Sequence, residues 1–284
     1  MNKMKFYVLL WAVAVLALSC KGRANEAQAE QADGLMSSAQ MQQAEARPEG
    51  QKAKVVRLFE IPAPLKDRPE QILHRRGYTA SYNRTTKTPN WVAWHLTKAH
   101  TKGRYLRDQE VFTEDEDIAQ GQRATDNDYY NSRYDRGHMC PAGDNKWDQL
   151  AMAQSFLFTN ICPQNHGLNK YEWNDLEMLC REWAQKYGAV DIVCGPLFAV
   201  SGQQKTIGRN KVWVPEAFFK VVLCRQGTPK AIGFVYRNEG KKQAMADAVR
   251  SVDEIEQLTG MDFFQELDDP TETRIEAKSR LADW

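Results

Sequence analysis

Tyr134–Cys140 reads YDRGHMC, and Thr159–Glu177 answers it with TNICPQNHGLNKYEWNDLE. Asp135, Arg136, Gly137 and His138 set a guanidinium and an imidazole one small residue apart, and the glycine permits a close backbone approach that a Cβ would obstruct. Downstream, Asn169, Trp173 and Glu177 recur at four-residue spacing; read as one helix, they share a face. The set comprises an imidazole that exchanges a proton near neutral pH, a planar cation that fits a phosphate, and an amide oxygen and a carboxylate suited to a hydrated hard cation. Together they imply chemistry on a phosphodiester.

Several further segments fall into the same order. Arg123–Tyr129 reads RATDNDY ahead of the Asp-Arg-Gly-His run, Leu168-Asn169, Trp173 and Leu176-Glu177 follow Thr159–Gln164, and Gly195-Pro196-Leu197, Val212–Val222 and Thr259–Phe264 come later. From Asn90 to Phe264 this ordered set resembles the DNA/RNA non-specific endonucleases of the ββα-metal (His-Me finger) fold. The resemblance implies an α+β fold with a central antiparallel β-sheet flanked by helices. It also implies a Mg²⁺-dependent endonuclease, with Mn²⁺ as the alternative ion, cutting DNA and RNA with little sequence specificity. His138 is then expected as general base, Arg136 as the brace for phosphate charge, and Asn169 as the protein ligand of the ion. Glu177 would hold water around the ion, and Asn160 would complete the catalytic set, orienting the loop with Gln164. Spacing alone leaves Asp135 and Asp144 in contention as metal ligands. Two other functions compete: a metal-dependent phosphodiesterase acting on a smaller substrate, and a non-catalytic, exported nucleic-acid-binding lipoprotein.

Nucleic acid must be attracted locally, because a formal charge of +1 gives no polyanion-binding surface overall. Two basic runs are candidates for phosphate contacts: Lys98–Arg107, with Arg104 and Arg107, and KTIGRNK, with Lys205 and Arg209. Both read equally well as solvated faces. Five histidines without a CxxC or HExxH pattern argue against zinc. Glu114–Asp117 lacks the glycine and regular spacing of a calcium loop and reads as a solvated loop. Of the cysteines Cys140, Cys162, Cys180, Cys194 and Cys224, the apolar surroundings of Cys162, Cys194 and Cys224 fit free core thiols as well as disulfides, and one pair from Cys140, Cys162 and Cys180 is the alternative, with no connectivity assigned.

The N-terminus has its own pattern. Lys3 and Lys5 precede an apolar run ending in LALSC at Cys20, which resembles a bacterial lipoprotein signal and is shorter than a membrane span. The expected organisation is a signal peptide at 1–19, a flexible tether at 20–54 and the endonuclease domain at 55–284. The expected localisation is export to the cell envelope, periplasmic or surface-facing, with lipidated Cys20 holding the protein to a bacterial membrane.

Among the elements, Trp91–Leu96, Val190–Cys194, Val212–Leu223 and Ala231–Tyr236 read as strands. The Asp-Arg-Gly-His strand pairs in this reading with Phe156–Ile161, while Trp147–Ser155, Tyr171–Tyr187 and Asp253–Leu258 read as helices. Trp173 is expected in the core rather than against a base, and the residues after Pro270 at the periphery.

Overall fold

The computed structural model describes residues 57–284 apart from Ser201. The expected signal segment, Cys20 and the tether lie outside the described residues. The fold is α+β, built on a seven-stranded antiparallel sheet in the order β1-β2-β3-β6-β9-β10-β11. These strands are β1 (Gln71–His74), β2 (Thr79–Asn83), β3 (Thr88–Thr97), β6 (Ala189–Leu197), β9 (Ala217–Cys224), β10 (Lys230–Arg237) and β11 (Val249–Arg250). The strands β4 (Asp135–His138) and β5 (Ile161–Gln164) form a separate antiparallel pair, as do β7 (Thr206–Ile207) and β8 (Val212–Trp213).

Successive side chains on a strand point to opposite faces, so a strand buried on both sides must be apolar nearly throughout. The central strands are: Val92, Trp94, Leu96, Ile192, Cys194, Phe218 and Val222 enter one core, and Trp91, Ala93, Val193, Phe219, Val221 and Leu223 enter the other. The first core is closed by Trp173, Leu176, Cys180, Trp183 and Ala184 of the helix Glu172–Tyr187. The second is closed by Val252 and Ile255 of the helix Val252–Thr259, by Phe263 and Phe264, and by Ile275 of the helix Asp269–Glu276. Losing one of these aromatic side chains to alanine would cost about 3–5 kcal/mol.

The expected ββα unit is present. Asp135 pairs with Gln164 and Gly137 with Cys162, and a Cβ on Gly137 would run into the Gln164 side chain, which is the close approach that glycine permits. The unit lies within the chain segment that leaves the sheet after Thr97 and rejoins it at Ala189, and those two residues are partners in the β3–β6 pairing.

Some boundaries differ from the sequence reading for identifiable reasons. Phe156–Ile161 is not the second strand: Phe158–Asn160 is a 3₁₀ turn, and pairing begins at Ile161. The backbone there is held instead by Thr113, whose N–H donates to Phe156 and whose carbonyl accepts from Phe158. Val212–Leu223 splits into β8 and β9 around Pro215, a residue with no N–H for a ladder. Gly195-Pro196, expected to end a strand, lies inside β6. Asp115 is buried, 2.6 Å from Arg75 and accepting from Thr159 Oγ1, so the acidic run is a solvated loop only in part. The C-terminus is not peripheral: Ile275 is in the core, and the Trp284 ring lies 4.2 Å from Trp183.

Candidate active site

The helix expected over Tyr171–Tyr187 is present as Glu172–Tyr187, but Asn169 stands on a separate short helix before it. His166–Lys170 ends at Tyr171, whose φ of −114° and ψ of −86° break the path, and Glu172–Tyr187 starts afresh. Its first turn carries Glu172 and Asp175, favourable at the positive end of the helix dipole, and Gly188 at φ +94° terminates it. Asn169, Trp173 and Glu177 therefore do not share one face. Trp173 is 1% exposed, and its Nε1 donates to the His138 carbonyl at 3.3 Å, anchoring the strand end from inside the core. Asn169 and Glu177 line a cleft of about 590 Å³ together with Asp135, Arg136 and His138.

His138 is 8% exposed. Its ring sits between Phe112, 5.4 Å away, and Phe156, edge-on at 4.8 Å. Nε2 is buried with no hydrogen-bond partner among the described residues. Burial, helped by the Arg107 charge, pushes the imidazole pKa down to about 3, so the ring stays neutral across the physiological range. The site thus presents an uncharged imidazole nitrogen that is already desolvated.

Asp135 positions the amide facing it. Its Oδ2 accepts from Asn169 Nδ2 at 2.9 Å and lies 2.9 Å from His166 Nδ1. With its nitrogen so engaged, Asn169 keeps its amide oxygen free of hydrogen bonds among the described residues. Arg136 is steered by Asp126, to whose Oδ1 its Nε donates at 2.7 Å, and its guanidinium stacks over Phe112 and Tyr129. Burial pushes the Glu177 carboxyl up to about 7, against the opposing pull of Lys220 and Arg181. An oxygen-rich set of this kind, with a free amide oxygen beside two carboxylates, suits a hydrated divalent ion.

Asp144 is otherwise engaged. It is 3% exposed and accepts from Trp94 Nε1 at 3.0 Å and from Arg181 Nη1 at 2.9 Å. Asn160 does not line the cleft. It is fully buried: its Oδ1 accepts from the Cys140 N–H, and its Nδ2 donates to the Cys140 and Ser155 carbonyls. These bonds clamp the turn that follows His138, in line with the loop-orienting part expected of Asn160. Of the basic candidates, Arg107 lines the cleft, while Arg104, Lys205 and Arg209 do not. Arg104 lies over its neighbour Tyr105, Lys205 Nζ donates to Tyr134 Oη at 2.6 Å, and Arg209 is exposed at the β7–β8 turn. The five described cysteines are buried and unpaired.

Sequence reading missed Asn174 and Arg181, which line the cleft. They stand three residues before and four after Glu177 on its helix, and that spacing was the available signal. It also missed Lys220, the lone charge in the strand AFFKVVLC. Lys220 is fully buried, its Nζ lies 4.4 Å from the Trp173 ring centroid and 5.3 Å from that of Trp94, and Nζ has no hydrogen-bond partner among the described residues. Burial works against its charge, but Cys194, Cys180, Glu177 and Asp144 outweigh it and raise its pKa.

Comparisons with known proteins agree with this geometry. Residues 58–270 match the family model described as DNA/RNA non-specific endonuclease. Over 216 residues the chain is 38% identical to "Nuclease EXOG, mitochondrial" of Danio rerio, covering 70% of this chain and 63% of that one. Over 230 residues it is 32% identical to "Mitochondrial nuclease" of Saccharomyces cerevisiae, covering 74% and 69%. The chain thus spans less than two thirds of the Danio rerio protein. The solved structure "Crystal structure of the EndoG/EndoGI complex: Mechanism of EndoG inhibition" superposes with a TM-score of 0.67 at 28% identity, covering 70% of this chain and 87% of that one. These findings overturn the expected localisation: the relatives carry the names of mitochondrial nucleases, not of lipid-anchored proteins of a bacterial envelope. No described helix is long and apolar enough to cross a membrane.

Proposed function

Because the chain belongs to the DNA/RNA non-specific endonuclease family, a family of divalent-metal nucleases, we propose that it hydrolyses phosphodiester bonds in both DNA and RNA. Little sequence selectivity is expected, and Mg²⁺ is the working ion, with Mn²⁺ as a substitute. Residues 55–284 carry the activity. The observation that supports this best is His138: a neutral imidazole, 8% exposed, with a buried and unpartnered Nε2, on a residue that lines one cleft with Arg107 and Arg136.

The chain's residues divide the work by their chemistry. Arg136 and Arg107 hold the phosphate and the negative charge that grows on it. Because they contact phosphate and not base edges, they carry no sequence information, which fits action on either nucleic acid. His138 Nε2 takes the proton of the attacking water. The phosphate's negative charge, absent from the free protein, favours the protonated ring at that moment and offsets the desolvation that keeps it neutral beforehand. Asn169, held by Asp135, offers its amide oxygen to the ion, and Glu177 binds water around it. When bound, a hydrated divalent ion supplies Lewis acidity toward the phosphate and the departing 3′ oxygen. No ribose 2′-hydroxyl takes part. Arg104, Lys205 and Arg209, outside the cleft, act as flanking phosphate contacts.

The test is digestion of supercoiled plasmid and of a structured RNA by the full chain, with Mg²⁺ or with chelator. Cleavage of both in Mg²⁺, suppressed by chelator and by His138→Ala, is expected. A folded protein that cuts neither substrate in Mg²⁺ or Mn²⁺ would overturn the proposal.

A further inference from the structure

On the sheet face opposite the ββα unit, the helices Val252–Thr259 and Asp269–Glu276 bring three carboxylates together. Asp253, Glu256 and Glu276 each present an oxygen, all within 4.8 Å of one another. Asp253 and Glu256 are three residues apart on one helix, hence neighbours on its surface, and Glu276 closes the group from the end of the other.

Surface acidic groups are common and signify little. This one has a second property: Glu276 is only 5% exposed, and its Oε1 is buried with no hydrogen-bond partner among the described residues. The largest charge effects on Glu276 come from Glu256, Glu272, Asp253 and Asp262, all carboxylates, and none of these five groups takes part in an ion pair among the described residues. Among the described residues, the hydrogen bond to a side chain of the trio comes from the Phe263 N–H, which donates to Glu256 Oε1 at 2.8 Å. A buried carboxyl oxygen facing like charges is costly unless a proton or a metal cation shares the site, and the trio's closeness lets a divalent ion take the place of the proton.

The geometry points to a second divalent-cation site, separate from the cleft, in which Asp253, Glu256 and Glu276 bind a hard ion of the Ca²⁺ class. Oxygens on one Ca²⁺ lie about 2.3–2.6 Å from it, and three oxygens at the full 4.8 Å separation would stand about 2.8 Å from a common centre, so a closing movement of a few tenths of an ångström at most completes the arrangement. Three carboxylates supply between three and six of the 6–8 oxygens Ca²⁺ takes, and Asp253 and Glu256, both partly exposed, leave a path for water to supply the rest. In the absence of an ion, burial and the neighbouring carboxylates push Glu276 up to about 9 and Glu256 up to about 7. The ion must therefore displace protons, and its binding strengthens as pH rises. The site would tie the last helix to its neighbour beneath Phe263 and Phe264, stabilising the far side of the sheet rather than acting in catalysis.

The experiment is a Ca²⁺ titration of the metal-stripped full chain near pH 7.5, read as the thermal unfolding midpoint and as proton release in a weakly buffered solution. Wild type, Glu276→Gln, Asp253→Asn and Asn169→Ala are compared. Expected are a midpoint rise of about 5 °C or more at a hundredfold excess over the dissociation constant, and proton uptake by the buffer on binding. The same rise is expected in Asn169→Ala, and none in Glu276→Gln, which keeps its nuclease activity. Asp253→Asn should weaken Ca²⁺ tenfold or more, and decides the matter if Glu276→Gln does not fold. The proposal is overturned if wild type shows no rise in millimolar Ca²⁺. It is equally overturned if the rise survives in Glu276→Gln or in Asp253→Asn with unchanged Ca²⁺ dependence, or disappears in Asn169→Ala.

Discussion

Replacing His138 by alanine tests the chemistry and the electrostatics of the cleft in one preparation. The ring is neutral when folded, with a pKa of about 3 against 6.5 in the unfolded chain. As pH falls through 6.5 the unfolded state takes up a proton that the folded state refuses, so stability is lost progressively from about pH 6.5 down to about pH 3. At about 1.4 kcal/mol per unit, the part of that window above pH 4 amounts to about 3 kcal/mol, which wild type loses on acidification from pH 7 to 4 through this side chain alone. His138→Ala cannot lose it. The variant leaves a cavity between Phe112 and Phe156 and is less stable at neutral pH, but that deficit does not depend on protonation, so the gap between variant and wild type narrows by about 3 kcal/mol at pH 4. Urea unfolding at the two pH values, in chelator and without nucleic acid, measures the difference. On the same protein at pH 7, turnover should fall about 10²-fold or more while DNA affinity is retained. Parallel acid loss in both proteins would refute a ring held neutral by burial, and wild-type turnover in the folded variant would remove His138 from the reaction.

Four further substitutions probe the surrounding groups. Asn169→Ala should lower cleavage and raise the Mg²⁺ concentration needed for half-maximal rate, with the unfolding midpoint in chelator nearly unchanged; a Mg²⁺ titration of initial rates reads this out. Arg107→Ala should reduce cleavage tenfold or more, whereas Arg104→Ala, outside the cleft, should change it less than threefold, both measured on one plasmid substrate at fixed ionic strength. Asn160→Ala strands the Cys140 N–H and two carbonyls in the core and should destabilise the fold by about 3 kcal/mol or more in urea unfolding.

Much of the sheet is legible in the sequence because β3, β6, β9 and β10 are apolar on both faces and stand out as dense runs. β1 and β2 are missed, since QILH and TASYN hold few large apolar residues and lie beside prolines and charges. In the site, His138, Arg136, Asn169 and Glu177 are named from the sequence and meet in one cleft. The helix carrying Glu177 is legible nearly to its ends, but the four-residue spacing also draws Asn169 onto its face, because no proline or glycine marks the break at Tyr171. Asn160 is named from the sequence, but that it stands outside the cleft and holds backbone is not legible there, because an amide that binds backbone and an amide that binds substrate look alike in a sequence. Asp144 stays ambiguous there for the same reason: its partners Trp94 and Arg181 come from distant parts of the chain. Lys220 is overlooked since its meaning depends on what stands behind Glu177, which only three-dimensional packing reveals.

The pairing of Thr97 with Ala189 bears on how such a protein can change. Everything from the basic loop through His138 to the end of the long helix departs from the sheet and rejoins it at one place, like a cassette seated in a frame. The register of β3 on β6 is fixed by their own side chains, which face two cores and would all swap sides on a one-residue slip. Insertions within the cassette leave that register alone, and each doubling of such a detour adds only about 0.6 kcal/mol of closure entropy. The loops of the substrate-facing part can thus be lengthened or trimmed over evolutionary time while the frame beneath keeps its strand order, provided that the helix Glu172–Tyr187 stays in place to close the first core.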